Sequence, residues 1–369
     1  MGATVAIEQG THARARTAAV MPDTAAVWAA IVADYAAAWA AELLRDEAPA
    51  HPALPPRLAY LDLYGGPGRG TPASRSVVAA VASRAADDGL LRGNLQFLLN
   101  DPGPEDPDAR RALARELRPV RRLAHPAQVI RRHPWLRIQT RLEAYRPLGV
   151  LVHWEPWGYQ SLSGGDLACC MALSRAEVLL TLRYPLLNLG LANPKVAEHL
   201  SAFWGQERAD SLRGAVRGAS PHQRENRIVA ACVERLRELG AQHVLPFRFT
   251  VRGRTREFLL HAGRTDEAYG RMKEVLARYA TGHPQGVPDY RYDPVAAHYT
   301  NSLPVTRPLD ALADDLARTY AGQTVRADDL YRRHHVGQPF LRRNYADALE
   351  LLATRGRALR LGSRVRVLG

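Results

Sequence analysis

The chain has 369 residues, 46% hydrophobic and 24% charged, so it is long enough for two domains and apolar enough for a packed core. Its formal net charge of +13 favours an acidic partner, most often nucleic acid. Cys169, Cys170 and Cys232 make an odd count with two adjacent, which excludes a disulfide framework and a C-x-x-C metal spacing and fits a reducing cytoplasm.

In chain order, residues 1–22 read as a disordered N-terminus without the apolar core of a signal peptide. The Ala-rich stretch 24–44 follows, with Trp28, Ile31, Tyr35 and Trp39 at helical spacing and Asp34 interrupting it. It reads as a packed amphipathic helix and not as a membrane span. LAYLDLY (58–64), NLQFLLND (94–101), LRIQTR (136–141), GVLVHWEPWGY (149–159) and AEVLLTLRY (176–184) read as strands. Helical patterns over 74–86, 108–120 and 164–174 fall between them. Further on come a helix at 222–240, a hairpin at 243–263 around Arg252-Gly253-Arg254, and a helix at 267–280. Strands alternating with helices predict an α/β fold, a parallel sheet with helices on both faces, whose ligands sit beyond the carboxyl ends of the strands. Asp62, Asp101 and Glu155 all stand at such ends.

The Pro-, Gly- and Tyr-rich stretch 281–294 reads as a linker, after which the composition changes. Three short helical patterns and a ribbon turning at Gly362-Ser363 predict a winged helix-turn-helix. From Ala321 onward ten arginines face four acids. Arg332, Arg333, Arg342 and Arg343 lie around the expected recognition helix, where they would meet phosphates or guanine edges. The histidines at 51, 125, 133 and 153 have no ligand spacing, and no metal is expected. Tyr184 and Asn188 follow the 176–184 strand and read either as cleft residues or as a packed ring and a turn residue.

Two motifs carry chemistry. LDLYGGPGRG (61–70) brings an acid and then four glycines to a strand end. Arg69 replaces the lysine that a phosphate-binding P-loop needs, and the glycine register does not suit a nicotinamide-type loop. A plain glycine-rich turn stays open. The arrangement is similar to that of class I methyltransferases. There glycines let the backbone approach S-adenosylmethionine (SAM), the first acid fixes its amino-acid end, and a second acid takes the ribose. HWEPWGY (153–159) ends the fourth strand as an acid-Pro-aromatic motif does in methyltransferases acting on exocyclic amines. There the carboxylate accepts hydrogen bonds from the target NH2 and an aromatic ring stacks on a flipped base.

Together with AEVLLTLRY, HVLPFRFTV and YGRMKEVL in the same order, these motifs resemble the three-Cys-motif partner protein (TcmP) family over about residues 25–285. The resemblance implies a Rossmann-like SAM-methyltransferase sheet over 23–285, and the residue patterns beyond it give a linker over 286–306 and the winged helix over 307–369. It implies SAM held by Asp62, Tyr64, Gly65, Gly66, Gly68 and Asp101, with Glu155, Pro156 and Trp157 at the acceptor, and a separate partner bearing a three-cysteine motif. The chain departs from the family at Glu155, where Asp is usual, and at Asn100-Asp101, where Glu is usual. The expected function is SAM-dependent methyl transfer on or with nucleic acid. Two alternatives are a nucleic-acid-binding partner subunit with a vestigial cofactor pocket, and a small-molecule methyltransferase.

Overall fold

A computed structural model describes residues 24–47, 55–63, 77–100, 107–130, 134–156, 158–295 and 306–368. Eight strands make one sheet: β1 (Leu58–Asp62), β2 (Leu95–Asn100), β3 (Gln128–Ile130), β4 (Gly149–Trp154), β5 (Ala176–Arg183), β6 (His243–Val251), β7 (Arg254–Gly263) and β8 (Arg291–Tyr292). Their order is β3-β2-β1-β4-β5-β7-β6-β8. β1 to β5 run parallel, and β7 is antiparallel to both β5 and β6. The direction in which strands are added reverses between β1 and β4, so the crevice at their carboxyl ends is the switch point of the sheet. β1, β2 and β4 are buried along their whole length, as strands covered by helices on both faces must be.

The helices are α1 (Thr24–Leu43), α2 (Val77–Asp87), α3 (Gly89–Asn94), α4 (Pro107–Glu116), α5 (Pro134–Tyr145), α6 (Gly164–Ala172), α7 (Tyr184–Leu191), α8 (Ala197–Trp204), α9 (Gln206–Val216), α10 (Pro221–Glu238) and α11 (Asp266–Ala277). α1, α2 and α11 cover one face of the sheet, where Trp39, Tyr60, Phe97 and Phe247 share a core. α5 to α10 cover the other, around Trp154, Phe203 and Trp204. α1 is long and apolar enough to cross a membrane, yet it is buried on most sides here, leaving a narrow line at Ala26, Ala30, Asp34 and Ala38. Its outer stripe is thus thinner than that of a surface amphipathic helix.

Two expectations need correction. LRIQTR is not the third strand but the middle of α5. Its alternating apolar residues suggested period two, but Ile138 and Leu142 are buried at helical spacing while Leu136 is 70% exposed. The third strand is the three-residue β3, too short for a periodic signal. The 281–294 stretch is not a free connection, because β8 pairs with β6 and Asp293 accepts from the Thr250 hydroxyl (2.9 Å) and the Gly253 amide (3.0 Å). α3, α7, α8 and α9 have no counterpart among the expected helices. The hairpin stands where expected, its turn made by Arg252 (φ 52°) and Gly253 (φ 71°), the left-handed pair that a two-residue connection needs.

At the C-terminal end, α12 (Pro308–Thr319), α13 (Ala327–His334) and α14 (Arg342–Thr354) pack around Leu316, Leu330, Tyr345 and Leu352. β9 (Thr324–Val325), β10 (Ala358–Leu361) and β11 (Arg364–Val367) form a small antiparallel sheet in the order β10-β11-β9. Three helices and a β-ribbon in this arrangement are a winged helix.

Candidate functional site

Asp62 ends β1 and lies beside His153 in the parallel register of β4, so the two side chains emerge together on the α1 face. His153 Nδ1 stands 2.9 Å from Asp62 Oδ2, and the Tyr60 hydroxyl donates to the same oxygen at 3.3 Å. An ionised carboxylate can only accept, so Nδ1 carries the proton of that contact. Both side chains are almost fully buried. The Trp28 ring covers the imidazole at 5.2 Å. His153 Nε2 and Trp28 Nε1 are buried with no hydrogen-bond partner among the described residues. Two orphaned nitrogens on neighbouring rings are what a bound polar group would satisfy. The Asn100 amide at the end of β2 donates to the Leu63 carbonyl (2.9 Å), and the Leu63 amide donates to the His153 carbonyl (3.1 Å), which ties the ends of the three strands together.

Glu155 follows β4 directly, its side chain 28% exposed and 3.6 Å from Arg183 Nη2 at the end of β5. Burial pushes its pKa up to about 7. His153 and Arg183 oppose that rise, and the carboxylates of Glu257 and Asp62 add to it. A carboxyl group poised near neutrality in a crevice is a mark of functional sites. Pro156 is buried behind it. Tyr159 donates to the Leu186 carbonyl (2.8 Å) and packs on Gly190, where a Cβ would stand 2.6 Å from its ring. Its ring is therefore a support that ties this segment to α7. The crevice thus brings Asp62 and Glu155 together with His153 and Arg183. His153 was missed as a site residue because only the β1–β4 register places it on Asp62. Tyr64, Gly65, Gly66, Gly68, Asp101 and Trp157 lie outside the described residues.

In the winged helix the four expected cations differ in their surroundings. Arg332 pairs with Asp329 (2.5 Å), and Arg342 lies 3.7 Å from Asp328 and over the Tyr331 ring. Arg333 and Arg343 are exposed and have no acidic partner among the described residues. Asp347 and Glu350 share the exposed side of α14, Glu350 paired with Arg360 of the wing. The unpaired cations of this region thus stand at the end of α13 and in the first turn of α14.

The α/β sheet with its acidic crevice and the winged helix define the kind of chain this is. The family model of the GMT-like wHTH domain matches residues 299–358. No curated protein matches the chain.

Proposed function

We propose that the chain is a SAM-dependent methyltransferase of the TcmP type whose winged helix carries it to nucleic acid. The observation that supports this reading is the meeting of Asp62 and Glu155 at the carboxyl ends of adjacent strands, at the switch point of the sheet. The antiparallel β7 between β5 and β6 also departs from the 3-2-1-4-5-6 order of a dinucleotide-binding sheet.

The described residues fit the cofactor in kind. Asp62 would take its amino-acid end, and His153 Nε2 and Trp28 Nε1 are free to meet polar groups. SAM supplies an electrophilic methyl group, so the protein's part is mainly positioning. Glu155, with Pro156 and Trp157 framing the acceptor, would accept hydrogen bonds from an exocyclic amine. With its pKa near 7, it would also take up the proton that the amine releases. Asp101 and the Gly65–Gly70 loop would complete the cofactor site, and a three-Cys-motif protein would be the partner.

One observation favours a second reading, a nucleic-acid-binding subunit with a vestigial pocket: the Asp62 carboxylate already serves His153 and Tyr60. Calorimetric titration of SAM into the full chain and into Asp62→Ala separates the two. Methyl transfer predicts micromolar-range binding that the variant loses while its circular dichroism is unchanged. No binding to folded wild-type protein would favour the second reading.

A further inference from the structure

Beyond the crevice, a second cavity of about 520 Å³ opens between α7, α9 and α10. Asn188, Asn193, Arg213, Arg217 and Arg224 line it together with apolar residues, and no carboxylate does. Arg213 is already committed to the fold, since it pairs with Asp210 and donates to the Ala197 carbonyl (3.1 Å) and Ser201 Oγ (3.2 Å). Arg217 and Arg224 are not: neither has an ion pair among the described residues, and Arg224 Nε is buried without a partner. Asn188 Oδ1 is buried and unpartnered in the same wall. Arg217 is exposed and Arg224 partly buried, so the cavity presents two guanidiniums that no acid among the described residues pairs with, one of them with its Nε already out of water.

We propose that this cavity is a binding site for a phosphate group, held by Arg217 and Arg224. The guanidinium fork matches phosphate oxygens in pairs. The place of the cavity suggests what brings the phosphate. α7 begins immediately after Arg183, the residue that faces Glu155. Asn188 follows five residues later, about 7.5 Å along a helix rising 1.5 Å per residue. Tyr159 fastens the Glu155 segment to the same helix. A strand whose base enters the crevice would therefore lay a neighbouring backbone phosphate against Arg217 and Arg224. A small phosphorylated molecule would meet the same donors.

The test uses the full chain and the double variant Arg217→Gln/Arg224→Gln, neither side chain of which holds the fold together. Inorganic pyrophosphate is titrated by calorimetry, and a short single-stranded oligonucleotide is titrated over a range of salt concentrations. Pyrophosphate affinity is expected to fall about tenfold or more in the variant. The slope of log K against log salt for the oligonucleotide is expected to shrink by about 1.4, the value for two lost phosphate contacts on a single strand. Loss of pyrophosphate binding with an unchanged oligonucleotide slope would keep the phosphate site and assign it to a small phosphorylated ligand. Unchanged binding of both overturns the proposal. A wing variant, Arg364→Gln/Arg366→Gln, should leave pyrophosphate binding intact. Neither readout involves SAM, so failure here is separable from failure of the methyl-transfer reading.

Discussion

Glu155 is a residue whose charge the fold controls near neutral pH. Its pKa rises from 4.5 to about 7, chiefly by burial. A carboxyl held above its unfolded value binds protons more tightly in the folded chain. Its ionisation therefore costs stability that begins to be lost above about pH 4.5 and is fully lost above about pH 7, at most about 3 kcal/mol. Glu155→Gln keeps the size and removes the ionisation. Its urea midpoint should lie close to wild type at pH 5 and above it at pH 8. Equal midpoints at both values would mean that Arg183 alone neutralises the carboxylate. In the methyl-transfer reading the same variant loses the proton acceptor, so its turnover should fall and lose its dependence on pH between 6 and 8 while SAM binding persists.

At the scale of elements, α14 shows how a basic composition and a basic surface differ. Ten arginines against four acids make a strongly basic tail, but five of them are spoken for: Arg332 and Arg342 by α13 acids, Arg355 and Arg357 by α12 acids, and Arg360 by Glu350. Removing unpaired Arg333 and Arg343 together should reduce the salt slope of duplex binding by about 1.8, two phosphate contacts' worth. Removing paired Arg332 should change it less. Titrations at several salt concentrations decide this, and equal effects from both variants would show that the ion pairs open on binding. The same contrast explains what could be read in advance. β1, β2, β4, β5, the 243–263 hairpin and the three C-terminal helices were legible because apolar periodicity, glycines and prolines are local signals. β3 and β8 were not, because strands of three and two residues are defined by their neighbours. The Asp62–His153 pair and the Arg217–Arg224 wall were hidden for the same reason, since residues 91 and 7 positions apart become partners only through register and helix packing.

Across the whole molecule, Lys273 links the sheet to the winged helix. It is fully buried on α11, whose Met272, Val275 and Leu276 belong to the core of the sheet. Its Nζ donates to the carbonyls of His335 (2.9 Å), Gln338 (3.0 Å) and Phe340 (2.6 Å), all in the connection from α13 to α14. Three donors meet three acceptors, so the ammonium fixes the start of α14 relative to α11. Lys273→Met keeps the length of the side chain and leaves three buried carbonyls without that donor, at a cost of about 2–5 kcal/mol. Calorimetry should then show the winged helix melting before the sheet, with its oligonucleotide affinity retained below that transition. Burial also pushes the Lys273 pKa from 10.5 down to about 7. A base held below its unfolded value binds protons less tightly when folded, so its contribution to stability grows as pH rises from about 7 towards 10.5. The gap between wild type and Lys273→Met should widen over that range. A gap that stays constant instead would mean that the three carbonyls hold the ammonium charged across the whole range.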